Sequence, residues 1–171
     1  AQVAVAGFPQ FDMYTGITSR IATRKEFFTH FGIPESAQLI LFISGTAYSL
    51  DEPDILKNIA DSIQTGRFSK EARLMVRPYV VLRDREREEE KYKSLAGNPV
   101  MVFNWMKSNE NPEARRMYLG MLYHADVVIS MFSTTAIEAA LLDKPTIVIG
   151  FDGYAKRPPH KTIRRMERMH P

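Results

Sequence analysis

Residues 125–149 read ADVVISMFSTTAIEAALLDKPTIVI, and this stretch is the clearest indicator of the fold class. An apolar, β-branched run at residues 126–130 predicts a strand, and a second such run at residues 146–149 predicts another. Between them, residues 133–142 have the length and the apolar spacing of a helix. A strand, a helix and a strand in this order predict a unit with parallel strands.

The same alternation continues through the rest of the chain. We predict further strands at residues 3–6, 38–44, 73–76 and 100–103, and helices at 24–31, 54–65 and 112–123. Gly32 suits the C-terminal cap of the first helix, and Pro112 suits the first turn of the last one. The pattern therefore predicts an α/β fold, a Rossmann-like three-layer α/β/α domain with a mainly parallel sheet of five or six strands.

Length and composition fit one such domain. The chain has 171 residues, of which 44% are hydrophobic and 25% charged, as in ordinary globular proteins. It has no cysteine, which excludes disulfides and thiolate metal sites and favours a reducing, cytoplasmic location. No segment approaches the roughly 20 apolar residues that a membrane-spanning helix needs. The first residues resemble a buried strand and include no initiating Met, so we expect the chain to be part of a longer protein.

The net charge of +3 comes from one end of the chain. Residues 154–171 hold six Lys or Arg and one Glu, so the other 153 residues together carry about −2. Because nucleic-acid-binding domains have a basic stripe across the folded surface, we expect no nucleic-acid partner. The simpler interpretation of residues 154–171 is a basic, truncated amphipathic helix. The alternative is that this segment helps the full-length protein to dock peripherally on an anionic membrane. Residues 83–93, with five basic and five acidic residues, predict a solvated helix.

Several enzyme classes lack their signatures in this sequence. No G-x-G-x-x-G follows a strand, and neither a G-x-x-x-x-G-K-[ST] loop nor a G-x-S-x-G elbow is present. The histidines show no metal-ligand spacing with acidic residues, so we expect no metal site. His30 and His124 fall near predicted helix ends, where a dipole-stabilised or surface histidine is the expected interpretation.

The carboxyl ends of the predicted strands carry the residues suited to a ligand. In doubly wound sheets ligands bind along that edge, and here it gathers small residues, hydroxyls, one arginine and one aromatic side chain. This combination suits a nucleotide diphosphate better than an apolar ligand. The strand ends are residues 44–46, 77–78, 104–105, 130–135 and 150–153.

The segment after the strand at residues 126–130 is the most informative of these ends. Ser133, Thr134 and Thr135 lie at a predicted helix start, where free backbone N–H groups and the helix dipole favour a phosphate. Glu138 lies one turn further, where its carboxylate could bridge ribose hydroxyls. The alternatives stay open: Ser133 as a helix cap, Glu138 as a surface or capping carboxylate, and Arg77 as a member of a surface salt bridge.

The run ADVVIS…STTAIEAALLDKP is similar to the donor-site signature of the GT-B glycosyltransferases, in which two Rossmann-like domains face each other across a cleft. VAGFPQFDMY, at residues 5–14, resembles the start of their C-terminal, donor-binding domain. FGIPESAQLILFISGT, at residues 31–46, resembles its first strand and phosphate-facing turn. The resemblance covers residues 3–153, and it implies a nucleotide-donor-binding domain at 1–153 followed by the basic segment at 154–171.

This resemblance implies roles for particular residues. Gly45 and Thr46 would face the donor phosphates, and Arg77 would neutralise diphosphate charge as the leaving group departs, which makes it the expected catalytic residue. Asn104 and Trp105 would border the base pocket, although an aromatic at a strand end is also expected as a core or wall residue.

The remaining implied roles fall on the segment after residue 130. Ser133, Thr134 and Thr135 would hold phosphate, and Glu138 would hold the ribose. Transferases of CDP-glycerol and capsule sugars often have Arg-Pro-His-Pro where residues 77–80 are Arg-Pro-Tyr-Val.

The resemblance also implies an activity for the full-length protein. It would move a sugar or a polyol phosphate from a UDP- or CDP-linked donor to a surface polysaccharide or glycolipid, without a cofactor. An N-terminal domain outside this sequence would bind the acceptor glycan, so the isolated chain should bind nucleotide weakly and be inactive.

Two alternative functions remain. One is a non-hydrolysing UDP-sugar 2-epimerase, whose corresponding helix start is rich in glycine with paired glutamates. The other is a non-catalytic nucleotide-sugar-binding module.

Overall fold

The computed structural model describes residues 7–45, 52–69, 71–79, 90–93, 95, 97, 99–102, 112–131 and 133–149. Its strands are β1 (Leu39–Ile43), β2 (Arg73–Arg77), β3 (Val100–Val102), β4 (Val127–Ser130) and β5 (Thr146–Val148). Its α-helices include α1 (Arg24–His30), α2 (Glu52–Gln64), α3 (Pro112–His124) and α4 (Thr135–Leu141). Short 3-10 helices span Pro9–Tyr14 and Ile17–Ser19, and residues 90–93 are helical.

The strands form one parallel sheet in the order β3-β2-β1-β4-β5. The chain builds outward from β1 through β2 to β3, then returns to the other side of β1 for β4 and β5. The order therefore reverses between β1 and β4, which is where a doubly wound sheet opens a crevice at its carboxyl edge. This architecture confirms the predicted Rossmann-like three-layer fold. The predicted strand at residues 3–6 lies outside the described residues.

Two hydrophobic cores lie on opposite faces of this sheet. Successive side chains of a strand point to opposite faces, so Leu41 of β1 enters one core and Phe42 enters the other. The first core is covered by α1, α3 and α4, and the second by α2. Both faces of β1 are thus covered, which explains why its sequence is continuously apolar rather than alternating.

Local sequence explains where α1 begins and ends. The Thr23 hydroxyl accepts a hydrogen bond from the Glu26 N–H, and the Glu26 carboxylate accepts one from the Thr23 N–H, which is a capping box. After the helix, Gly32 has a φ of +65°, a left-handed conformation that glycine adopts without strain. Phe27 and Phe28 are fully buried and hold α1 on the first core.

The position of His124 differs from the sequence-based interpretation. Its ring is buried at the end of α3, and Nε2 lies 2.7 Å from the backbone oxygen of Ala22. Since a carbonyl oxygen only accepts hydrogen bonds, Nε2 carries a proton, and its N–H donates the hydrogen bond. Burial lowers the pKa of His124. The surface interpretation was therefore wrong, because the helix end packs beneath the segment that leads into α1.

Candidate functional site at the carboxyl edge of the sheet

Three strand ends lie side by side at the carboxyl edge. Arg77 of β2 is in register with Ile43 of β1, and Ile43 is in register with Ser130 of β4. Residues two positions earlier on these strands belong to the first core, so Arg77 and Ser130 point to the face covered by α3 and α4. Ser44 is one residue further along than Ile43 and points to the α2 face. The edge therefore presents a polar group on each face of the sheet.

On the α4 face, Arg77 contacts two different helices. Its Nη1 donates to the hydroxyl of Thr135 over 3.1 Å, at the start of α4. Its guanidinium carbon lies 5.2 Å from the ring centroid of Tyr118 on α3, a cation–π geometry. The structure thus brings together Arg77 and Thr135, two residues that the sequence placed in one phosphate site. We call Tyr14, Arg77, Tyr118, Thr135 and Glu138 the Arg77 cluster.

The start of α4 is organised differently from the predicted helix at residues 133–142. The helix begins at Thr135, and the exposed Thr134 is its N-cap without a side-chain hydrogen bond. The Ser133 hydroxyl accepts from the Thr135 N–H at 3.2 Å and donates to the Thr135 hydroxyl at 3.1 Å. One amide of the predicted phosphate turn is therefore paired within the chain, and the two hydroxyls form a continuous row leading to Arg77.

Glu138 is a buried member of the Arg77 cluster. It is 5% exposed, and its carboxylate accepts a hydrogen bond of 2.7 Å from the hydroxyl of Tyr14, in the first 3-10 helix. Burial raises the pKa of Tyr14, and the hydrogen bond to Glu138 raises it further, so the phenol stays protonated and donates. Burial also raises the pKa of Tyr118. The surface alternative for Glu138 was wrong, because the N-terminal segment covers this helix turn.

Ser130 adds a hydroxyl with unused hydrogen-bonding capacity. Its side chain is fully buried at the end of β4, and Oγ has no hydrogen-bond partner among the described residues. Buried hydroxyls are nearly always paired, so this position has the chemistry to meet a polar atom of a ligand. It lies on the same face as Arg77, beside the point where the strand order reverses.

On the α2 face, a second polar group surrounds Glu52. This carboxylate is fully buried in the first turn of α2. Its Oε1 accepts from the Gly45 N–H at 2.5 Å, and its Oε2 accepts from the Ser44 hydroxyl at 2.8 Å and the Lys91 ammonium at 2.9 Å. The Tyr92 hydroxyl also donates to Oε2. We call these five residues the Glu52 network.

The Glu52 network changes two sequence-based expectations. Gly45 was predicted to face the donor phosphates, and the structure pairs its N–H with Glu52. Residues 83–93 were predicted to be a solvated helix; the described residues 90–93 are helical, and Glu90 and Lys93 are exposed, but the prediction is wrong for Lys91 and Tyr92. There Tyr92 is fully buried and the Lys91 side chain is 12% exposed. An aromatic residue within the charged run was the available signal for a buried anchor.

Some predicted site residues have no described position. Thr46, Asn104, Trp105, the strand end at residues 150–153 and the basic segment at 154–171 lie outside the described residues. Within the part of the chain that the structure does describe, no group of His, Asp or Glu has the geometry to hold a metal ion. Among those same residues, no helix is long and apolar enough to cross a membrane.

Sequence reasoning missed several members of both groups, listed at the end of this paragraph. Tyr14 ends the segment that resembles the beginning of a donor-binding domain, and Glu52 sits in the first helical turn after β1, but neither position has a spacing that reveals its distant contacts. Only the folded chain brings together residues separated by up to 124 positions. The missed residues are Tyr14, Glu52, Lys91, Tyr92 and Tyr118. Ser44 and Ser130 were predicted to lie on the ligand edge, as parts of the strand ends at residues 44–46 and 130–135, without a role of their own.

Solved structures of other proteins share this architecture. A protein described as a UDP-N-acetylglucosamine 2-epimerase from Listeria monocytogenes aligns with a TM-score of 0.53 and 11% identity, over 87% of this chain and 36% of its own. The ADP-heptose LPS heptosyltransferase II of E. coli aligns with a TM-score of 0.50 and 11% identity, over 85% of this chain and 50% of its own. The chain has the Rossmann-like fold of these enzymes.

A third structure, the UDP-GlcNAc 2-epimerase of Neisseria meningitidis bound to UDP-GlcNAc, aligns with a TM-score of 0.47 and 15% identity, over 83% of this chain and 34% of its own. The chain thus spans between about a third and a half of the length of these proteins. No protein-family model matches the sequence, and no curated protein matches it.

Proposed function

We propose that this chain is the nucleotide-donor-binding domain of a two-domain glycosyltransferase of the GT-B kind. The donor is a UDP- or CDP-linked sugar or polyol phosphate, and the acceptor is a surface polysaccharide or glycolipid bound by an N-terminal domain. In this proposal the full-length enzyme resembles the capsule and CDP-glycerol transferases and works in the cytoplasm, at the membrane surface. The basic segment at residues 154–171 provides the contact with anionic lipid.

The observation that carries the proposal is the contact between Arg77 and Thr135 at the carboxyl edge. A guanidinium presents several N–H donors in a plane and keeps its charge at any physiological pH, which suits the oxygens of a diphosphate. The Thr135 hydroxyl accepts from both Arg77 and Ser133, which leaves its own O–H to donate to a phosphate oxygen on the same side. This group lies close to the reversal between β1 and β4, where ligands of doubly wound sheets bind.

The spacing along α4 agrees with the order of groups in a nucleotide. Glu138 follows Thr135 by three residues, which is a rise of about 4.5 Å along a helix. A phosphate bound at Thr135 would leave the neighbouring ribose near the carboxylate, which Tyr14 already orients. As the glycosidic bond breaks, negative charge develops on the diphosphate, and the fixed positive charge of Arg77 stabilises it. Arg77 would thus act electrostatically, without transferring a proton.

A nucleotide titration followed by NMR tests this proposal. The isotopically labelled chain is titrated with UDP, CDP, GDP and ADP, and we expect shifts at Ser133, Thr135 and Glu138 with one base preferred. The Arg77→Gln variant should weaken binding by about tenfold or more, as expected for the loss of a charge-assisted hydrogen bond. Arg73→Gln is the matched control, because it makes the same change at the amino end of the same strand.

Two outcomes would contradict the proposal. Equal affinity of the Arg77→Gln and Arg73→Gln variants would remove Arg77 from the site. No response of the chain or of the full-length protein to any nucleotide at millimolar concentration would exclude donor binding altogether.

The two alternative functions make different predictions. The epimerase alternative predicts that the full-length protein interconverts UDP-GlcNAc and its 2-epimer without an acceptor. A non-catalytic module would bind nucleotide and neither transfer nor epimerise it.

A further inference from the structure

The Glu52 network lies between the end of β1 and the first turn of α2, and the proposed diphosphate role does not use it. Its carboxylate receives donors from two separate parts of the chain: the strand end at Ser44 and Gly45, and the helical turn with Lys91 and Tyr92. All its donors converge on a side chain that is fully buried. Such a bonded carboxylate holds the groups around it in one arrangement.

The two carboxylate oxygens of Glu52 accept hydrogen bonds from different groups. Oε1 receives the backbone N–H of Gly45, so the orientation of that peptide plane depends on the position of Glu52. Oε2 receives the hydroxyls of Ser44 and Tyr92 together with the Lys91 ammonium, which fixes the carboxylate itself. The peptide at the end of β1 is thereby linked, through one side chain, to residues 91 and 92.

The buried carboxylate of Glu52 needs the positive charge of Lys91, and Lys91 needs Tyr92 to hold it in place. A buried carboxylate without a counter-charge is strongly unfavourable, and Lys91 supplies that charge at 2.9 Å. The stem of Lys91 is also mostly covered, and its Nζ lies 5.1 Å from the ring centroid of Tyr92. Because Tyr92 is fully buried in the second core, it anchors the turn that carries Lys91.

We propose that Glu52 is a positioning residue for donor binding, which sets the backbone at Ser44 and Gly45 so that this strand end meets the phosphate part of the donor. The inference rests on the proposed nucleotide-binding function. It predicts a selective effect. Disturbing the Glu52 network weakens binding of a nucleoside diphosphate and leaves binding of the nucleoside unchanged, since the base and the ribose contact other residues.

The test compares Tyr92→Phe and Glu52→Gln with two matched controls. Tyr92→Phe keeps the ring in the core and removes only the hydroxyl, so the fold is retained. Glu52→Gln keeps the shape but removes the charge and turns one acceptor into a donor. Tyr123→Phe and Glu113→Gln make the same changes on α3, away from the Glu52 network. Affinities for UDP and uridine, or for whichever base the chain prefers, are measured together with the amide shift of Gly45.

We expect Tyr92→Phe and Glu52→Gln to shift the Gly45 amide and to weaken diphosphate binding by about tenfold, with nucleoside affinity unchanged. The controls should change neither. Equal losses for diphosphate and nucleoside, or unchanged diphosphate affinity in Tyr92→Phe, would overturn the positioning role. Failure of the proposed function looks different, because the unmodified chain would then bind no nucleotide. If Glu52→Gln does not fold, Tyr92→Phe alone decides between these outcomes.

Discussion

The buried ring of His124 makes the stability of this protein depend on pH. Burial holds the pKa of His124 below its ordinary value of about 6.5, while the unfolded chain keeps that ordinary value. As the pH falls through about 6.5, the unfolded state takes up a proton before the folded state does. The stability associated with the neutral ring is therefore fully present above this pH and is lost progressively below it.

The first prediction follows from this linkage. The free energy of unfolding, measured by urea titration, should fall between pH 7.5 and 5.5, and the His124→Gln variant should show a smaller slope with pH. His30→Gln is the control, because the side chain of His30 is exposed on α1. A pH slope that is the same in all three proteins would show that His124 does not account for it.

At the scale of single elements, α1 shows how local sequence stabilises a short helix. A helix of seven residues is marginal by itself, so its capping box and its two buried phenylalanines are needed together. The box satisfies backbone N–H groups that an uncapped helix leaves to water. Arg24, in the first turn, also donates to the backbone oxygens of Ala37 and His124, and so ties α1 to the segments around β1 and β4.

The second prediction concerns this cap. Thr23→Ala removes the hydroxyl that accepts from the Glu26 N–H, and it should lower the free energy of unfolding by about 1 kcal/mol. Thr29→Ala, at an exposed position within α1, is the matched control and should have little effect. Chemical denaturation of both variants at pH 7.5 makes the comparison, and equal stabilities would show that the capping box is unimportant.

At the scale of the whole molecule, the central strand β1 joins the two hydrophobic cores. Leu41 and Phe42 are adjacent in sequence, fully buried, and packed on opposite faces of the sheet. Because the same strands form one wall of each core, the loss of one helix layer also weakens the sheet against which the other layer packs. We therefore expect the domain to unfold as one cooperative unit.

The third prediction compares the two faces. Leu41→Ala should cost about 2–5 kcal/mol and Phe42→Ala about 3–5 kcal/mol, since each leaves a cavity in its core. In both variants, urea transitions followed by far-UV circular dichroism and by aromatic fluorescence should coincide. A separation of the two probes in either variant would show that the layers unfold independently.

Much of the fold could be predicted from the order of short-range patterns. Apolar runs at residues 38–44 and 126–130 and the helical spacing between strands depend on neighbours only a few positions apart, and the observed elements lie at those places. Parallel pairing then brings the carboxyl ends together at one edge. That is why Arg77 and Thr135, which are 58 positions apart, could be assigned to a common site before any contact was known.

The contacts within that edge were decided by the tertiary structure. Glu138 could be placed on the first turns of a helix, but its burial and its bond to Tyr14 required the N-terminal segment to pack over α4. In the same way, Glu52 reads as an ordinary acidic residue at a helix start until Lys91 and Tyr92 meet it. Periodicity reports which face of an element is apolar. Periodicity does not show which distant polar groups form hydrogen bonds with one another in the interior. The packing of the layers decides this, because a buried charge is tolerated only where donors from elsewhere in the chain converge on it.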